Sequence, residues 1–168
     1  ENVNDYDKEA FRRILKGEAG TTGIKKSLSL LMRMLSDHYG KQVVLLLDEY
    51  DVPVAKASNH HYYQEMLEVV KAMMSTALKD NNALQFAIIT GCLKIAKESI
   101  FTGTNNFVSD TITSSRLNEY FGFTQKEVDQ ILTYAKRKDQ LATVKVWYDG
   151  HHFGEFDIYC PWDVMNYV

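Results

Sequence analysis

The sequence of 168 residues is short of several things, and each shortage narrows what it can be. There are only two prolines, and each falls at a boundary: Pro53 ends an apolar run, and Pro161 stands where a last helix would open. There are only two cysteines, Cys92 and Cys160, far apart and without metal-ligand spacing. They read as reduced thiols of a cytoplasmic protein, Cys92 as a small buried residue rather than a nucleophile. No apolar run approaches the ~20 residues of a membrane span, and no secretory leader is expected. No basic block occurs, and the net charge is −3, so composition gives no support for nucleic-acid binding. The phosphate-cradling pattern G-x-x-x-x-G-K-[ST] is missing too. Gly17, Gly20 and Gly23 space a polar loop, but Lys25-Lys26-Ser27 follows Gly23-Ile24 and no strand precedes it. That loop only superficially suggests a phosphate site.

What is present, 45% hydrophobic and 24% charged residues, suits a globular domain with a real core. The chain opens without Met and stops inside a helical pattern, so it is expected to be a piece of a longer protein. Its centre is Val43-Val44-Leu45-Leu46-Leu47, followed at once by Asp48, Glu49 and Asp51. An unbroken apolar run with a β-branched start predicts a strand buried on both faces. In open α/β sheets, ligands bind just beyond the carboxyl ends of such strands, where these acids stand.

Around that centre the periodicity predicts a short helix over 5–16 and a longer one from about 24 to 39, stopped by Gly40. A helix built on Tyr63, Met66, Leu67, Val70, Met74 and Ala77 follows, its methionines read as core. Leu84 to Ile89 reads as a second strand running into Thr90-Gly91. Two strands joined by one helix predict a right-handed βαβ unit and a parallel pair. Asp48, Glu49 and Thr90 would then reach the same sheet edge. Residues 92–115 are poorly periodic, with a short helix expected around 93–100 and a turn at 103–106. Leu117 to Phe121 is a weaker strand candidate. Thr124-Gln125-Lys126-Glu127 has capping-box form, with Phe123 and Val128 placed as a staple, opening a helix over 125–137. A helix with Leu141 and Val144, a loop or hairpin over 151–159 and a final helix at Pro161 complete the chain.

Leu46-Leu47-Asp48-Glu49-Tyr50-Asp51, Thr90-Gly91 with Lys94, the Ser99–Asn106 loop, Phe121-Gly122-Phe123-Thr124 and Trp147-Tyr148-Asp149-Gly150 occur in this order. Together they resemble the AAA-ATPase-like domain of bacterial proteins that often carry a PD-(D/E)XK nuclease-like region after it. The likeness runs from about residue 41 to the end. It implies an α/β fold, part of a three-layer αβα P-loop NTPase with strand order 5-1-4-3-2. Residues 1–122 would be a truncated core, and 123–168 a helical C-terminal part of the same ATPase region. By the same resemblance Asp48 matches the Mg²⁺-binding acid of the Walker B element and Glu49 the water-activating one. Thr90 matches the sensor residue, touching both nucleotide and chemistry. ATP and Mg²⁺ are the implied cofactors, and a neighbouring nuclease-like domain is an implied partner. The sequence departs from the family at His151-His152, where an aromatic is more usual, and in lacking the Walker A loop. The expectation is a fragment of an ATPase that by itself is inactive and binds ATP weakly, with an exposed strand edge inviting self-association.

Blander readings stand beside these. Asp48 and Glu49 also fit an acidic turn after a strand, Asp51 a turn or cap residue, and Thr90 a helix cap. Arg116 is read as a surface ion-pair partner rather than a phosphate ligand. His60-His61 and His151-His152 are adjacent pairs without a His or Cys at i+4, and neighbours in sequence rarely point at one metal, which disfavours zinc. Tyr148, Phe153, Tyr159 and Trp162 are read as core. Two further functions remain open: a nucleotide-controlled interaction module without significant turnover, and a metal-dependent phosphodiesterase using Asp48, Glu49 and Asp51.

Overall fold

The structure is a computed structural model that describes residues 2–92, 107–148 and 150–168. Lys94, the expected helix at 93–100, the Ser99–Asn106 loop and Asp149 lie outside the described residues. Two compact units are formed, residues 1–107 and 108–168.

The first unit has five described helices, α1 (Asp5–Leu15), α2 (Thr21–Lys25), α3 (Ser27–Tyr39), α4 (Val52–Ser58) and α5 (Tyr63–Leu78). Two strands, β1 (Val43–Leu47) and β2 (Leu84–Ile89), complete it. The Asn4 side chain caps α1 by accepting from the Asp7 N–H at 2.8 Å. Asp5 and Asp7 lie at the positive end of that helix, and Arg12 and Arg13 at the negative end. The single helix expected over 24–39 is two pieces meeting at Lys26, whose φ of −102° and ψ of 0° break the helical run. Gly23, a poor helix former, sits inside the short first piece. Gly40 ends α3 in the left-handed region at φ 63°, donating to Ser36 O at 2.8 Å.

β1 and β2 pair in parallel, Leu45 opposite Ala87 and Leu47 opposite Ile89, with an irregularity between Val43 and Val44. One face of the pair packs on helices. Leu45 joins Met32 of α3 and Ala77 of α5, while Leu47 and Ile89 pack against Val54, Leu67, Val70 and Met74. The other face is open: Leu46 is 70% exposed and Ile88 54%, and Val44 and Phe86 are exposed beside them. The expectation of a strand buried on both faces therefore fails within this unit. The helices that pack on the strands, α3, α4 and α5, do so on the Leu45 and Leu47 face, so alternate residues of an unbroken apolar run meet solvent.

The second unit holds α6 (Gln125–Tyr134), α7 (Leu141–Tyr148) and α8 (Pro161–Tyr167). A three-stranded antiparallel sheet accompanies them, β3 (Phe123–Thr124), β4 (His151–Phe153) and β5 (Phe156–Tyr159), in the order β3-β5-β4. The region read as helical thus contains a sheet as well, because the 151–159 segment closes as a hairpin at Gly154 (φ 61°) and recruits β3. The capping box forms as expected: Thr124 N–H donates to Glu127 Oε2 at 2.8 Å, and Thr124 Oγ1 accepts from the Glu127 N–H. Phe123 packs on the core of Val128, Leu132, Val144, Tyr159 and Val164.

The strand expected at Leu117–Phe121 does not form. Leu117 is left-handed at φ 67°, and Asn118–Tyr120 make a 3₁₀ turn. The cause is a long-range contact: Asn118 is buried and its side chain donates to the Phe153 carbonyl at 2.9 Å. That bond favours a turn over a ladder. Trp162, expected in the core, is 76% exposed. On the short helix α8 it is Val164, not Trp162, that enters the core.

Candidate functional site

The carboxyl ends of β1 and β2 lie side by side because the strands are parallel and in register to their last residues, Leu47 and Ile89. This brings Asp48, Glu49 and Thr90 to one edge. Thr90 touches three parts of the acidic turn. Its N–H donates to Leu47 O at 2.9 Å, and its carbonyl accepts from Tyr50 N–H at 3.1 Å. Its hydroxyl donates to Asp48 Oδ1. Asp48 and Glu49 are both exposed.

Between the two anchored residues, Glu49 adopts φ 55°, in the left-handed region. A side chain with a Cβ pays of order 1–2 kcal/mol there, so the conformation persists only where neighbours impose it. Here Asp48 is held through its side chain and Tyr50 through its N–H, both by Thr90. The Glu49 carbonyl accepts from Val52 N–H at 3.1 Å, closing the turn into α4.

Sequence periodicity does not reveal α4, although a signal for it exists: an Asp at the N-cap position and a Pro in the first turn. Asp51 occupies the cap position without a side-chain cap bond to α4, and it is only 3% exposed. It lies against Gly91. A Cβ placed on Gly91 would fall 2.5 Å from Asp51 Oδ1 and 2.6 Å from the Tyr50 ring. Neither the left-handed Glu49 nor this close approach has a signature in the sequence.

The edge presents two exposed carboxylates and a hydroxyl at parallel strand ends, donors of the type a hard cation takes. A carboxylate offers about four lone-pair directions, so one bond from Thr90 leaves Asp48 able to face a hard cation. By contrast, among the described residues no three His, Cys, Asp or Glu side chains converge as a metal site. Asp51 is buried while Asp48 and Glu49 are exposed, which weakens the three-acid phosphodiesterase reading.

The other candidates sort plainly. Arg116 makes a two-point ion pair with Asp110. His152 Nδ1 lies 2.8 Å from Asp157 Oδ1 across the β4–β5 ladder. Cys92 is exposed rather than buried, since it lies past the end of β2. Among the described residues, no helix is long and apolar enough to cross a membrane. Of the Gly-rich segment, residues 19–23, which run into α2, line a cavity of about 420 Å³ with Tyr6, Arg13, Lys26 and Arg33.

Comparison with known proteins supports the family and shifts the extent of the likeness. A family described as "AAA-ATPase_like: Predicted AAA-ATPase" matches residues 1–101. The match begins well upstream of residue 41 and ends before the Phe121 and Trp147 motifs. The chain is also similar to an "Uncharacterized protein in vnfD 5'region" from Azotobacter chroococcum mcd 1. The two are 28% identical over 137 residues, covering 80% of this chain and 26% of the relative. The chain thus spans about a quarter of the length of that curated relative. No solved structure matches. With the acidic strand end and its neighbour inside the matched span, the chain belongs to the family of AAA-ATPase-like proteins.

Proposed function

We propose that this chain carries the hydrolytic edge of a Mg²⁺-dependent ATPase of P-loop type, within a three-layer αβα domain completed by a longer parent protein. The observation that carries the reading is the shared edge: Asp48 and Glu49 end β1, Thr90 follows β2, and the Thr90 hydroxyl bonds to Asp48. Magnesium, when bound, would neutralise charge on the phosphates being separated. Asp48 holds the negative charge that receives it. Glu49 orients the attacking water in line with the bond between the γ-phosphorus and the β–γ bridging oxygen and accepts the water's proton, as that bond breaks and ADP leaves. Thr90 keeps Asp48 and the turn in register. The 168 residues lack a phosphate cradle of the G-x-x-x-x-G-K-[ST] type, whose N–H groups and Lys do most of the phosphate binding. The isolated chain therefore binds ATP weakly.

The test compares the isolated chain with the full-length parent, measuring Mg·ATP binding by calorimetry and phosphate release. Binding and turnover confined to the parent, with Glu49→Gln lowering turnover about 100-fold or more while ATP still binds, would support the reading. Submicromolar ATP affinity in the isolated chain would refute the weak-binding part. Full turnover in Glu49→Gln would refute the role of Glu49.

A further inference from the structure

We propose that Gly91 is a positioning residue for the acidic turn. The side chain it lacks is the space into which Tyr50 and Asp51 close, and that closure keeps Glu49 where it can orient water. The inference rests on the reading of Glu49 given above.

Backbone conformation does not explain this glycine. Gly17, Gly40 and Gly154 have positive φ, but Gly91 does not. What Gly91 supplies is room. A Cβ there would approach Asp51 Oδ1 to 2.5 Å and two Tyr50 ring carbons to 2.6 and 2.7 Å. Neither neighbour is the loose end of a flexible side chain. Asp51 is 3% exposed, and Tyr50 packs against the core of Val54, Leu67, Val70 and Met74. A methyl group at 91 therefore has to push the Tyr50–Asp51 backbone away from Thr90. The bond that opens first is Tyr50 N–H to Thr90 O, already 3.1 Å. It is one of the restraints that hold Glu49 left-handed. Displacement by a fraction of an ångström at a water-orienting carboxylate degrades turnover far more than ground-state binding.

The experiment uses Gly91→Ala in the full-length parent, with Gly20→Ala as control, since a Cβ at Gly20 meets nothing within 4 Å. Gly91→Ala should lower kcat about 10- to 100-fold with KM for Mg·ATP within about twofold, and Gly20→Ala should change neither. Amide hydrogen exchange on the same proteins supplies a readout independent of activity. Exchange at Tyr50 and Val52 should speed up in Gly91→Ala while α5 stays protected. Unchanged exchange at Tyr50 would overturn the proposal. So would a loss of protection throughout the unit, which marks a merely structural glycine. Glu49→Gln, assayed in parallel, separates the two ideas. If it retains full turnover, the reading of Glu49 fails. If it is inactive but Gly91→Ala is fully active, only the positioning proposal fails.

Discussion

The Thr90 hydroxyl donates to Asp48 Oδ1 across the ends of two parallel strands, between residues 42 positions apart in the chain. This bond ties the strand that delivers the acids to the strand that follows it, and it lends itself to a direct substitution.

Thr90→Val keeps the β-branched shape and removes the donor. The expected loss in the isolated chain is about 0.5–1.5 kcal/mol, read from urea denaturation. Thr90→Ser should retain most of the stability. Equal stability of the valine variant and the native chain would show that the bond contributes nothing in solution.

Glu49 at φ 55° gives a prediction with an unusual sign. Glu49→Gly should be more stable than Glu49→Ala by about 1 kcal/mol, since glycine alone reaches the left-handed region without steric cost. At an ordinary helical or extended position alanine would be the better tolerated of the two. Chemical denaturation of both variants settles the order.

Asp7 and Glu127 predict acid sensitivity. Arg33 donates two hydrogen bonds to Asp7, at 2.8 and 2.7 Å, and Asn4 adds a third, holding the Asp7 carboxyl below its usual value of 3.8. The Thr124 backbone N–H, and then its hydroxyl, lower Glu127 in the capping box. A carboxyl depressed on folding stabilises the native state above its unfolded pKa. That contribution is lost as pH falls through the lower folded pKa. Thermal stability should therefore decline below about pH 4, and Asp7→Asn should flatten part of the decline. A melting curve for Asp7→Asn that falls with pH as steeply as the native one would contradict this.

The open face of β1 and β2 predicts self-association. Val44, Leu46, Phe86 and Ile88 form one exposed apolar row, Leu46 directly opposite Ile88. Such a face, beside strand edges unpaired among the described residues, favours association between copies. Leu46→Lys should shift the isolated chain toward monomer in sedimentation experiments with little change in melting temperature. A native chain that stays monomeric at high concentration would rule the association out.

The elements that periodicity and punctuation specify are legible in the amino-acid sequence itself. The 3.6-residue stripe from Tyr63 to Leu78 is α5, and the apolar runs before Asp48 and Thr90 are the parallel strands. Gly40 ends α3, and the Thr124–Glu127 capping box opens α6. These are local decisions, made by side-chain spacing and by groups three or four residues apart. They also suffice to bring Asp48, Glu49 and Thr90 to one edge, because strands paired in parallel end on the same side of the sheet.

Tertiary structure decided what depends on distant neighbours. Whether Leu46 is buried depends on whether anything covers its face of the sheet, which a run of leucines does not reveal. Leu117–Phe121 turned instead of extending because Asn118 found the carbonyl of Phe153, 35 residues away. Glu49 is left-handed because Thr90 restrains the residues on both sides of it. Gly91 is small because Tyr50 and Asp51 occupy the volume a side chain would fill. The residue types of the site follow from the sequence, whereas its geometry follows from contacts between segments that only folding brings together.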